Sequence, residues 1–162
     1  MGALIDAVVG ATRRLAPIAG LTLGLLVACG SDGGGAAAGR VSVSDAWSLA
    51  TVTGQPNGAV YFTILSTESD TLQRIEVPAS IAGHATIHET VTNADGAMTM
   101  HEMESGVSLE PGTAVTFTPG GSHVMLVDLV QPLSVGEAFD VTLEFAKADP
   151  ITLRVAVVES AP

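Results

Sequence analysis

The chain has 162 residues, of which 47% are hydrophobic and only 4% aromatic, so it can form one globular domain with an aliphatic core. Its formal net charge is −11 with six lysines and arginines in total, which argues against a nucleic-acid-binding protein because such proteins present clustered basic residues. With one cysteine, the chain can form neither an internal disulfide nor a metal site that needs several thiolates.

The first 28 residues have the pattern of an export signal. Arg13–Arg14 supply positive charge, and the apolar stretch 15–28 is too short to span a bilayer comfortably. It ends in Leu-Val-Ala followed by Cys29, which resembles a bacterial lipobox. We therefore expect a lipoprotein signal peptide, lipidation of Cys29, and an exported protein anchored by lipid to the outer face of the cytoplasmic membrane. An uncleaved anchor or an ordinary secretory peptide ending near Ala28 are the alternatives.

Residues 29–39 are rich in glycine and alanine and predict a flexible tether, which places the folded domain at 40–160. If Cys29 is lipidated, this domain has no thiol. Thiolate catalysis is then excluded, and so is a blue-copper electron-transfer site, because both need a cysteine side chain.

Short β-strands are predicted throughout the domain, since apolar and polar residues alternate and turn signals recur at regular spacing. One such signal is Asn93–Gly96, where Asp-Gly favours a hairpin. The predicted strands cover residues 41–47, 59–65, 71–77, 85–91, 97–103, 114–117, a segment from 123, 139–145 and 151–157. About nine short strands without helical periodicity predict an all-β fold, either a sandwich or a small barrel.

Histidine and methionine cluster in one window of the chain. His123 and Met125 are two residues apart on a predicted strand, so their side chains should emerge from the same face. Imidazole and thioether groups are ligands that favour Cu(I) over hard cations. A face of a half-buried strand could also account for Met98 and Met100. The members of the window are His84, His88, Met98, Met100, His101, Met103, His123 and Met125.

Several of these segments resemble the periplasmic copper chaperones of the PCuAC type. The resemblance runs from about Val41 to Val158. It is carried by His88-Glu-Thr-Val, Gly96-Ala-Met-Thr-Met100 and Pro119-Gly-Gly-Ser-His-Val-Met-Leu-Val-Asp-Leu129, with support from Ser44-Asp-Ala-Trp47 and Ala59-Val-Tyr-Phe62. It implies a cupredoxin-like Greek-key β-sandwich or barrel that binds one Cu(I) through two histidines and two methionines.

The ligand set implied by the resemblance is His88, Met100, His123 and Met125. Eleven residues separate His88 from Met100, and twenty-two separate Met100 from His123, each one more than in the family pattern. Met98 therefore remains a rival for the third position. Met103, His84 and His101 are further candidates, with a secondary Cu(II) site as one use for them.

The function implied by the resemblance is that of an extracytoplasmic copper chaperone and not of an enzyme. Its expected partners are the copper ion, a haem–copper oxidase subunit or a thiol-bearing assembly protein, and the membrane through the lipid anchor. Copper buffering would use the same site. A metal-free binding or structural β-sandwich lipoprotein is the alternative. An enzyme is least favoured, because the order G-x-S-x-G is absent and Glu102 and Glu104 are expected to lie solvated in a loop.

Overall fold

Ten β-strands form the regular structure of residues 40–162, which are the residues that the computed structural model describes. The predicted signal peptide, the tether and Cys29 lie outside them. The strands are β1 (Val41–Leu49), β2 (Gly58–Ser66), β3 (Asp70–Glu76), β4 (Ala82–Thr92), β5 (Met98–Glu102), β6 (Val107–Leu109), β7 (Ala114–Thr116), β8 (His123–Leu129), β9 (Ala138–Phe145) and β10 (Ile151–Val158). No helix occurs in this part of the chain, and hence none that could cross a membrane.

The all-β prediction is therefore confirmed, and each predicted strand has a counterpart. One strand, β6, was not predicted, because three residues are too few for an alternating pattern to be recognised. The predicted hairpin at Asn93–Gly96 is also present. The N–H of Asn93 donates to the carbonyl of Ala97, and Gly96 adopts a φ of +82° that favours glycine.

The strands follow the order β5-β4-β8-β2-β1-β10-β9-β3-β6, and β7 pairs with β2. Only β1 and β10 run parallel to each other. The two ends of this order, β5 and β6, are joined by residues 103–106 alone, which can span no more than about 18 Å. The ends of the sheet must therefore lie near each other, and the sheet curls around its own inner face.

Aliphatic side chains from this inner face form the core. The strands β9 and β10 show the alternation clearly, since every second residue is buried along most of their length. All four phenylalanines are buried, and the rings of Phe62 and Phe117 lie 4.4 Å apart between centroids. The outer face of the neighbouring strands β4, β8 and β2 is left for polar and sulfur-containing side chains.

A bulge in β1 changes which residues face the core. Val43 is buried before the bulge, whereas Ser48 is buried after it, because the register shifts between Ser44 and Trp47. Asp45 stands in the bulge with a φ of +55°. Trp47 therefore pairs with Tyr61 on the outer face, where their ring centroids lie 4.4 Å apart.

Candidate metal centre

Two histidines from distant parts of the chain meet across neighbouring strands. The register of β4 against β8 places His88 directly opposite His123. Opposed residues of antiparallel strands project to the same face of the sheet. Their ring centroids lie 5.8 Å apart with the planes at 80°. The pairing of β4 with β8 therefore presents two imidazoles side by side.

The ring of His123 is oriented by the turn that precedes its strand. Its Nδ1 lies 3.1 Å from the carbonyl oxygen of Gly121. A carbonyl can only accept a hydrogen bond, so Nδ1 carries the proton and Nε2 keeps its lone pair. Such a bond to the second nitrogen is the usual way in which a metal-binding histidine is held in one tautomer.

The ring of His88 contains a buried nitrogen without a partner. Its Nδ1 is the one buried side-chain nitrogen or oxygen in residues 40–162 that makes no hydrogen bond. Its Nε2 lies 3.3 Å from the hydroxyl oxygen of Thr86 and can donate to it. In that tautomer Nδ1 offers a free lone pair. An unpaired buried nitrogen is unfavourable, and a metal ion bound at Nδ1 would remove the penalty.

An open cavity of about 410 Å³ is lined by Met100, His123 and Met125, whereas His88, which lies opposite His123, does not line it. Met125 follows His123 on β8 by two residues and pairs across β2 with Ala59, whose small side chain leaves room. Tyr61 also lines the cavity. Burial raises the pKa of its phenol above the ordinary value, so Tyr61 stays neutral at neutral pH and offers no phenolate ligand.

The methionines of β5 extend this face to the end of the sheet. Glu102 lies opposite His88, Met100 opposite Thr90 and Met98 opposite Thr92, so all three project to the face of the histidines. Met100 is 57% exposed and Met98 is 62% exposed. Neither thioether packs in the core, which removes the explanation of this pair as one face of a half-buried strand.

The other candidates are placed less close to the pair of histidines. His84 shares their face but lies about 13 Å from His88 along β4 and does not line the cavity. His101 lies opposite Glu89, on the other face of β5. Met103 packs against the core. The structure thus places His123 opposite His88 and beside Met100 and Met125. Met98 lies two residues from Met100 on β5, and His84, His101 and Met103 lie apart from this group.

Neighbours of these side chains were not identified from the sequence. Thr86, Tyr61 and the carbonyl of Gly121 all contact or line the site. The position of Thr86, two residues before His88, was the available signal, because residues two apart share a face. Tyr61 gave no such signal, since its place beside the cavity depends on the pairing of β2 with β8.

The donor set suits a soft metal. No group of three or more His, Cys, Asp or Glu within residues 40–162 could hold a metal ion. Two imidazoles and two thioethers match Cu(I), which accepts soft neutral ligands and imposes no planar geometry. In addition, the sequence between Arg74 and Lys147 contains no lysine or arginine, so no basic side chain on β4, β5 or β8 competes with a bound cation.

Comparisons with known proteins agree with the fold. The family model described as "Putative lipoprotein LpqE-like" matches residues 41–157. A protein of Leifsonia xyli subsp. xyli, named "Putative lipoprotein Lxx21020", is 39% identical over 123 residues, which are 76% of this chain and 71% of that protein.

Two solved structures are also similar. The copper-bound PCuAC domain from PmoF2 has a TM-score of 0.62 and 26% identity, over 78% of this chain and 98% of that domain. The apo PCuAC domain from PmoF1 has a TM-score of 0.62 and 29% identity, over 79% of this chain and 99% of that domain. These domains are β-sandwiches, so the predicted cupredoxin-like β-sandwich is confirmed.

Proposed function

Since the chain belongs to the LpqE-like family, which is of the PCuAC type, we propose that it is an extracytoplasmic copper chaperone that carries one Cu(I) ion. The proposed ligands are His88, Met100, His123 and Met125. The likeness to a copper-bound PCuAC domain supports copper as the cargo.

The observation that carries this proposal is the orphaned Nδ1 of His88. It is buried without a partner, on the residue directly opposite His123, whose Nε2 is free. Two adjacent imidazoles, each with an unused lone pair and with thioethers beside them, are suited to a metal ion of soft character.

The ligand chemistry fits a protein that gives its metal away. All four proposed ligands are neutral when they bind, and none is a thiolate. An acceptor with thiolates can therefore take Cu(I) from this site, because thiolates are the softer ligands and carry charge. Each histidine must be deprotonated to bind, so affinity should fall in acid.

As the destination we propose the copper centre of a haem–copper oxidase, reached directly or through a thiol-bearing assembly protein. Copper buffering would use the same site. Lipidation at Cys29 would hold the domain at the outer face of the cytoplasmic membrane. The names of the family and of the relative from Leifsonia xyli support the lipoprotein assignment.

A Cu(I) titration under reducing, thiol-free conditions tests the proposal. Trp47 is the sole tryptophan, and its ring lies 4.4 Å from Tyr61, which lines the cavity. Its emission should therefore change with copper and saturate at one equivalent. Binding no tighter than micromolar would contradict the proposal. So would an unchanged affinity after loss of both His88 and His123, which would favour a metal-free β-sandwich lipoprotein.

Single substitutions test the ligand assignment. We expect His123→Ala to weaken Cu(I) binding more than Met100→Ala, because Met98 lies on the same face and can supply a thioether. His84→Ala is the matched control and should leave the affinity unchanged, since His84 lies about 13 Å from His88 along β4. If Met98→Ala weakens binding as much as His123→Ala while Met100→Ala does nothing, Met98 is the ligand in place of Met100.

A further inference from the structure

We propose that Met98 is a transfer ligand, which binds Cu(I) only while the ion enters or leaves the site and is not among its resident ligands. This inference rests on the proposed function and names the route by which the metal is exchanged. It assigns to the outer edge of β5 the approach of a thiol-bearing acceptor.

The first observation is the position of β5 in the sheet. It pairs with β4 on one side, and no strand among residues 40–162 pairs with its other side. A partner can therefore approach this edge without displacing any described part of the fold. Of the proposed ligands, Met100 is the one that lies on this edge strand.

The second observation is the exposure of Met98. An apolar side chain that is 62% exposed on a strand contributes little to the packing of the protein. Met103, which directly follows β5, provides the contrast because it packs against the core. The thioether of Met98 is thus available to bind a metal ion, whereas that of Met103 is packed against the core.

The third observation is the spacing between Met98 and Met100. The two residues share a face of β5 and lie about 7 Å apart along the strand. Each side chain has three rotatable bonds and a polarisable sulfur, so both thioethers can reach one ion. Met100 lines the cavity, whereas Met98 does not. Met98 therefore lies next to Met100 along β5, exposed to solvent and outside the lining of the cavity.

The exchange step conserves charge and oxidation state. Copper remains Cu(I) throughout, and no electron is transferred. A bond from copper to the sulfur of Met98 forms as a bond to one of the resident ligands breaks. An acceptor thiolate then replaces the thioether of Met98, and the proton that the thiol lost has gone to solvent. The remaining imidazoles and thioethers are released last.

The test compares Met98→Leu with wild type in the full-length domain loaded with one equivalent of Cu(I). A peptide with a Cys-x-x-Cys pair serves as the acceptor, and Trp47 emission reports the loss of copper in a stopped-flow experiment. We expect the equilibrium affinity to stay within about twofold, and transfer to slow by about tenfold, because an attached ligand acts at a high effective concentration. Met103→Leu removes a thioether that packs against the core, and it should change neither the equilibrium affinity nor the transfer rate.

A second readout does not depend on transfer. In protein labelled at the methionine methyl groups, copper below one equivalent should broaden the Met98 resonance through exchange and leave that of Met103 sharp. An unchanged transfer rate in Met98→Leu would overturn the inference. So would a loss of equilibrium affinity equal to that of Met100→Leu, since Met98 would then be a resident ligand. Failure of the wild type to bind Cu(I) would instead overturn the proposed function, and this inference with it.

Discussion

His88 carries a buried nitrogen that lowers the stability of the metal-free fold but could bind a metal ion. Its buried Nδ1 finds no partner in the protein, and such an atom costs the fold about 1–3 kcal/mol. His123, in contrast, has its Nδ1 hydrogen-bonded to Gly121. A residue that is unfavourable for folding, yet placed where two imidazoles meet, is the kind of local conflict that functional sites retain.

This difference between the two histidines predicts opposite effects on the metal-free protein. His88→Leu should leave the free energy of unfolding unchanged or raise it by about 1 kcal/mol, because it removes the unpaired nitrogen. His123→Leu should lower it by about 1 kcal/mol through the lost hydrogen bond. Urea unfolding of both variants without copper is the measurement. If His88→Leu is the more destabilised of the two, the Nδ1 of His88 is satisfied in the metal-free state.

Asp70 illustrates a carboxylate whose task is structural. It is 8% exposed and accepts hydrogen bonds from the backbone N–H groups of Thr71, Lys147 and Ala148. Burial alone would raise the pKa of Asp70, but these three donors and the charge of Lys147 together hold the pKa below its ordinary value of 3.8. The carboxylate thereby fixes the turn between β9 and β10 against the start of β3.

Asp70→Asn should lower the free energy of unfolding by about 2 kcal/mol at neutral pH. Because the folded pKa is depressed, the contribution of Asp70 is complete above the ordinary carboxyl pKa and is lost as the pH falls through the folded value. The gap between wild type and variant should therefore close below about pH 4. Asp140→Asn, which removes an exposed ion pair with Arg154, is the control and should cost about 0.5 kcal/mol or less. A gap that persists in acid would contradict this account.

Among the elements, the connection from β5 to β6 is what closes the sheet. Gly106 stands in this connection with a φ of +75°, and a Cβ added there would collide with the carbonyl oxygen of Leu72 on β3. The tight approach holds β6 against β3 at one end of the strand order.

Two glycines with nearly the same φ allow this collision to be measured. Gly106→Ala should lower the free energy of unfolding by about 3 kcal/mol, since left-handed strain adds to a clash with backbone atoms. Gly112→Ala should cost about 1 kcal/mol, because Gly112 has a φ of +72° but open space around it. Thermal unfolding of both variants measures the two losses in stability. Equal losses would mean that the chain relaxes around Gly106 without strain.

At the scale of the whole molecule, charge is unevenly distributed. The four described basic residues are Arg40, Arg74, Lys147 and Arg154, and each pairs with a carboxylate or a carbonyl oxygen. The last three lie on or beside β3, β9 and β10. The strands that carry the histidines and methionines have acidic but no basic residues. This half of the molecule therefore favours the approach of a cation over that of an anion.

Membrane attachment is a second property of the whole molecule. If Cys29 is the lipidated residue, Cys29→Ser should move the protein from the membrane fraction to the soluble fraction, or leave it unprocessed. Cell fractionation and intact-mass measurement provide the readout, with Ser31→Ala as a control that keeps the cysteine. A Cys29→Ser variant that remains membrane-bound and is processed normally would contradict the lipid assignment.

The sequence by itself determined the features that depend only on residues close together in the chain, namely strands, turns and which residues share a face. The alternation in β9 and β10, the Asp-Gly hairpin and the two-residue spacing of His123 and Met125 all follow from the period of a strand. The implied copper ligands rested on the resemblance, and their role stays a prediction. Chemistry of the site could be anticipated because the donor atoms belong to residue types that are visible in the sequence.

Only the tertiary structure decided which strands are neighbours. The pairing of β4 with β8 sets His88 opposite His123, and the bulge at Asp45 turns Trp47 to the outer face. Neither is encoded in local periodicity, since a one-residue change of register sends every side chain of a strand to the other face. Register is chosen by the fit of the whole core. The orphaned nitrogen of His88 and the exposed edge at Met98 follow from that choice.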